Sequence, residues 1–137
     1  MIYCAVIDTN VLVSSMLCPN SLPGEILRLI KIGTIQPAYN DEMLKEYKEV
    51  LGRNKFPFSQ EEIDENIKEI IENGLQLERT KTNEAFTDKD DIVFYEIVLT
   101  ANSKNSSYLV TGNVKHFPKK TFVVTPREMI DIIESQN

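Results

Sequence analysis

The apolar run Ile2-Tyr3-Cys4-Ala5-Val6-Ile7, stopped by Asp8, constrains the fold of this chain more than any other feature. An unbroken apolar hexamer reads as a strand buried on both faces, the condition met in parallel sheets covered by helices. A carboxylate where such a strand ends lies at the carboxyl edge of the sheet. That edge is where open α/β proteins hold their ligands. Further strands are predicted near Ile35–Ala38, Leu75–Arg79, Tyr108–Val110 and Phe122–Val124.

Helix signals fill the intervals. Asn10 is placed to cap a short helix that runs to about Leu17 and stops before Pro19. Ser21, with Pro23 in the first turn, opens a helix over 21–32 whose stripe is Ile26, Leu27 and Ile30, with Gly33 at its stop. Asn40 caps a helix over 41–52 that turns Met43, Tyr47, Val50 and Leu51 inward. Ser59-Gln60-Glu61-Glu62 has the form of a capping box, followed by Ile63, Ile67, Ile70 and Ile71 at helical spacing as far as Gly74. Thr87-Asp88-Lys89-Asp90-Asp91 opens a helix with Phe94, Val98 and Ala101 on one face, and Thr125-Pro126-Arg127-Glu128 is a second capping box. Strands separated by such helices imply right-handed βαβ units. The predicted fold class is α/β: a three-layer α/β/α sandwich around a central parallel sheet, one domain over residues 1–137.

Such a domain buries about two-thirds of its unfolded surface without cross-links. No segment approaches the roughly 18 apolar residues of a membrane span, and Asp8 interrupts the N-terminal run too early for a signal peptide. The expected location is cytoplasmic. Cys4 and Cys18 have neither CxxC spacing nor a histidine cluster, so both read as structural. The net charge of −6 argues against general adhesion to nucleic acid. It permits a nucleic-acid enzyme whose acids gather in one cleft and are offset by a divalent cation.

The candidates for that cleft share one edge of the sheet. Asp8 ends the first strand, Asp88, Asp90 and Asp91 crowd a helix start, and Asn113 follows the strand at 108–110. Glu46, next to the inward Tyr47, reaches the same place from the side. Carboxylates packed without partners raise one another's pKa values, and a hard cation resolves the conflict. Oxygen donors without thiolate or a histidine pair suit Mg²⁺ or Mn²⁺. A cation of that class supplies a water nucleophile and neutralises the leaving oxygen of a phosphodiester, so no protein nucleophile is needed. Helix capping accounts for Asp88, Asp90 and Asp91 on its own, and a solvated helix face accounts for Glu46. The single histidine, His116, excludes a two-histidine ribonuclease, and there is no GxSxG elbow, Walker loop or GxGxxG.

At these residues the chain resembles a known family. Asp8-Thr9-Asn10-Val11-Leu12-Val13-Ser14-Ser15 is similar to the N-terminal signature of PIN domains. The stretch from Met43 through Glu46 to Arg53, running into Lys55-Phe56, is similar to the second motif of a bacterial PIN subgroup. Asp88-Lys89-Asp90-Asp91 with Phe94-Tyr95-Glu96 is similar to its third motif. Leu109-Val110-Thr111-Gly112-Asn113 with Lys115-His116-Phe117-Pro118 is similar to its fourth. The resemblance implies a PIN-like, Rossmann-like fold and a Mg²⁺- or Mn²⁺-dependent ribonuclease, often the toxin half of a toxin–antitoxin pair. It implies that Asp8, Glu46 and Asp91 are the metal-ligating catalytic acids, with Asn10 and Thr111 as polar supports.

Many PIN domains carry aspartate at the position of Asn113, which here adds no charge. Either one ion is used, or Asp88 or Asp90 compensates. Arg53 and Lys55, and Lys115, His116, Lys119 and Lys120 around Phe117, are read as RNA-binding residues, with Phe117 or His116 stacking a base. The expected function is hydrolysis of single-stranded RNA; the alternative is a catalytically weak or inactive module that binds RNA or protein. A toxin is further expected to offer an antitoxin a groove between the helices 21–32 and 41–71. Homodimers are expected from the resemblance alone.

Overall fold

A computed structural model describes residues 1–136. Five strands among them form one all-parallel sheet: β1 (Tyr3–Ile7), β2 (Ile35–Tyr39), β3 (Leu75–Gln76), β4 (Ser107–Val110) and β5 (Val123–Val124). The helices are α1 (Thr9–Leu17), α2 (Leu22–Lys31), α3 (Asp41–Leu51), α4 (Gln60–Asn73), α5 (Lys89–Lys104) and α6 (Pro126–Ser135). Strand order is β3-β2-β1-β4-β5. The chain winds outward from β1 through β2 to β3, then returns to lay β4 against the other side of β1. The direction of winding therefore reverses between β1 and β4, which opens a crevice at their carboxyl ends.

Alternation along β1 divides the interior into two cores. Tyr3, Ala5 and Ile7 face Ile26, Ile30, Met129 and Ile133, so α2 and α6 cover one side. Val6 faces the other, against Met43, Tyr47, Ile67, Phe94 and Val98 of α3, α4 and α5. This is the predicted three-layer sandwich.

Local signals fix the helix starts. Ser21 Oγ accepts from Gly24 N at 3.2 Å and Asn40 Oδ1 from Met43 N at 2.9 Å. Both predicted capping boxes, Ser59 with Glu62 and Thr125 with Glu128, are formed. Gly33, at φ 84°, makes the turn from α2 into β2. Gly74 lies so close to the backbone that a Cβ would stand 2.2 Å from Ile70 O and 2.6 Å from Pro37 O.

Three expectations are corrected. The cap of α1 is Asp8, whose carboxylate accepts from Thr9 N, and Asn10 lies inside the first turn. The strand expected over Leu75–Arg79 stops at Gln76, because β2 pairs it only as far as Tyr39. Beyond it the chain lies as a strap against α5. Ile71 is 43% exposed, since Ile63, Ile67 and Ile70 already fill the buried stripe of α4.

Candidate active site

The crevice at the winding reversal is a cleft of about 780 Å³. Asp8 enters it directly from β1. Its Oδ1 accepts from Thr9 N at 2.8 Å, and its Oδ2 accepts from Thr111 Oγ1 at 2.7 Å and Asn10 Nδ2 at 3.3 Å. Thr111 is fully buried just after β4, so one hydroxyl ties the two central strands together beneath the acid. Asn10 Oδ1 accepts from Gly112 N at 3.2 Å, fixing the same junction from above.

Glu46 comes from α3, whose place is set by the neighbouring Tyr47: its buried hydroxyl donates to Ile7 O. Thr9 Oγ1 donates to Glu46 Oε2, so adjacent residues orient two of the acids. Asp88 caps α5 by accepting from Asp90 N at 2.9 Å, and Asp91 sits in the first turn. Capping and a place in the cleft thus coexist on this helix. Asp91 Oδ2 is buried without a hydrogen-bond partner; His116 Nδ1, at 3.7 Å, is beyond hydrogen-bond reach.

The pKa values of Asp8, Glu46 and Asp91 are all shifted upward. Burial pushes the Asp8 carboxyl up, against the stabilising bonds from Thr111 and Thr9. Burial also raises Glu46, opposed by Thr9 and reinforced by the charges of Asp90, Asp8 and Asp88. Asp91 is pushed up to about 6, by burial first and then by Asp8 and Asp88, with His116 acting in the opposite sense.

The donor set fits a hard cation. Three donors occupy Asp8, leaving roughly one of its four acceptor sites, while Asp91 Oδ2 has none of its capacity used. Among the described residues no three or more His, Cys, Asp or Glu side chains are gathered closely enough to hold a metal ion as they stand, so the fit to a cation such as Mg²⁺ rests on the type of donor, carboxylate oxygen, alone.

A family model described as a PIN domain matches residues 4–115, from within β1 to the turn after β4. The chain belongs to the PIN domain family. PIN domains are generally nucleases and typically use divalent metals. No curated protein and no solved structure matches the chain.

In this PIN domain the cleft brings together Asp8, Asn10, Glu46, Arg53, Asp88, Asp90, Asp91, Asn113 and His116, all singled out in the sequence. Four of the expected cations lie outside its lining. Lys115, Lys119 and Lys120 line a separate cleft with Val123 and Glu128, because the 3₁₀ turn Val114–His116 directs the following chain toward β5. Lys120 is moreover paired with Glu84 at 3.3 Å. Phe117 is buried, in edge contact with Phe86, and lines that separate cleft rather than the acidic one. Lys55 lies over the ring of Phe56 rather than in the cleft lining.

Other lining residues were not assigned to the site from the sequence: Thr9, Glu42, Lys45, Glu49, Phe56, Arg79 and Lys89. Glu42, Glu46, Glu49 and Arg53 follow one another at intervals of four, three and four residues. That is one face of a helix, so Glu42 and Glu49 carried a readable signal. Arg79 carried none, since only tertiary folding of the strap brings it to α3 and α5.

Proposed function

We propose that this PIN domain is a Mg²⁺- or Mn²⁺-dependent endoribonuclease acting on single-stranded RNA, and that it serves as the toxin of a toxin–antitoxin pair. The observation that carries the reading is the convergence of Asp8, Glu46 and Asp91 at the winding reversal, with Asp91 Oδ2 buried and unpartnered. These three carboxylates would hold the cation, with Asp88, Asp90 and Asn113 at its periphery. When bound, the cation supplies the Lewis acidity that activates water and stabilises the leaving oxygen. Thr111, Thr9 and Asn10 hold the carboxylates in position. Arg53 and Lys45, on α3 or just beyond it, and Lys89 on α5 offer positive charge to the phosphates flanking the scissile bond.

On this reading an antitoxin would dock at a second groove of about 390 Å³, where Leu27, Arg28 and Lys31 of α2 face Glu62 and Asn66 of α4. A second reading, a PIN-like module that binds RNA or protein with little catalysis, is motivated by Asn113 in place of a further acid. The two readings part on Asp8→Asn. A nuclease loses cleavage of single-stranded RNA by roughly a hundredfold or more, with its circular dichroism showing a folded protein. Unchanged cleavage by the folded variant contradicts the mechanism, and absence of cleavage by the wild type with Mn²⁺ favours the binding module.

A further inference from the structure

Phe56 is the phenyl ring that lines the acidic cleft among the described residues, and the nuclease reading leaves it without a task. It stands in the loop between α3 and α4, half-buried, beside Arg53. Phe58 supports it in a stacked pair, with centroids 5.7 Å apart and planes inclined by 20°. Both rings pack onto the core of α3, α4 and α5, so the fold fixes their position. Lys55 Nζ lies 5.1 Å from the Phe56 centroid.

A ring braced by a second ring and presented to a charged cleft can hold a flat, uncharged group by its π-face. Unpaired nucleobases are such groups, and base–aromatic stacking needs no matched hydrogen bonds. The neighbouring cations suit what a base brings with it. Arg53 holds only a long, exposed contact to Glu49 at 3.9 Å, which leaves its guanidinium available to a phosphate. Lys55 would leave the ring face when a base arrives, freeing its ammonium for the next phosphate. Phe117, the alternative platform, is buried and lines the other cleft.

We propose that Phe56 is a nucleobase-stacking subsite that seats an unpaired base next to the scissile phosphate, with Arg53 and Lys55 on the flanking phosphates. The inference rests on the nuclease reading and narrows it. A base inside a duplex has both faces covered by its neighbours, so this subsite selects single strands with little preference among bases.

The chain contains no tryptophan, so Phe56→Trp places a single tryptophan at the platform, excited at the red edge where the tyrosines do not absorb. The metal-free variant, kept in chelator so that no cleavage occurs, is titrated with labelled single-stranded RNA of about eight nucleotides. An abasic backbone of equal length serves as the control. Label anisotropy reads binding, and tryptophan emission reads stacking. The RNA is expected to quench the emission and the abasic backbone to leave it unchanged. Phe56→Leu, which keeps the apolar bulk, is expected to bind the RNA roughly tenfold more weakly than the wild type. Binding without quenching, or undiminished affinity in Phe56→Leu, overturns the subsite and leaves the nuclease reading standing. Failure of the wild type to bind single-stranded RNA in chelator, together with failure to bind or cleave it with Mn²⁺, removes both.

Discussion

Asp91 concentrates the tension of the site in one side chain. It is 15% exposed, has an unpartnered oxygen and stands near Asp8 and Asp88. Because its pKa rises from the ordinary 3.8 to about 6 on folding, the protonated carboxyl favours the folded state. That contribution is complete below pH 3.8 and is lost as the pH rises through about 6. Without metal the protein therefore loses stability across that window. Asp91→Asn is expected to be more stable than the wild type at pH 7.5 by about 1–2 kcal/mol, with the gap closing near pH 4. Urea denaturation in chelator at the two pH values checks this, and a variant less stable at the higher pH contradicts the electrostatic account. Asp8 was legible as a residue of the candidate cleft because a buried apolar strand that ends in an acid puts that acid at the carboxyl edge of the sheet. Its role as the cap of α1 was hidden, because Asn10 is an equally good cap by residue type.

Among the elements, the strap after β3 shows where reading the chain ran out. Its apolar–polar alternation runs on through Leu77 to Arg79 although strand pairing ends at Gln76, and the segment is instead bound by side chains. Arg79 Nε donates to Glu96 Oε1 at 2.6 Å and Arg79 Nη1 to Glu42 Oε2 at 2.9 Å, linking α5 to α3 along the cleft. Thr82 N donates to Glu96 Oε2 at 2.7 Å, and Leu77 is buried against the core. The two arms of Arg79 differ in consequence. Glu96 is 7% exposed at its side chain, so Arg79→Ala leaves a buried carboxylate short of its partner and is expected to cost about 2 kcal/mol. Glu42 is solvent-exposed, and Glu42→Ala is expected to cost less than about 0.5 kcal/mol. Chemical denaturation of both variants distinguishes them; equal losses contradict the assignment of the strap to the Glu96 bond. Helices with caps and apolar stripes were legible because those signals are local, whereas nothing local to Arg79 names its partners.

Across the whole molecule, one topological fact explains why residues far apart in sequence share a site. The reversal between β1 and β4 brings the end of the first strand beside the end of the fourth, and α3 and α5 close the flanks. The alternation of buried strands and capped helices made the α/β architecture readable, and the sheet-edge rule located Asp8, Asp91 and Asn113 together. It did not separate the two clefts on either side of Val114–His116, so Lys115, Lys119 and Lys120 were gathered with the acids although the backbone turns them away. A net charge of −6 permits a nuclease whose clustered acids hold a cation. Calorimetric titration of Mn²⁺ into the metal-free wild type and into Asp91→Asn tests that reading most directly. The wild type is expected to bind and the folded variant to lose most of the binding heat. Equal binding by both, or none by the wild type, contradicts the assignment of Asp8, Glu46 and Asp91 to a metal centre.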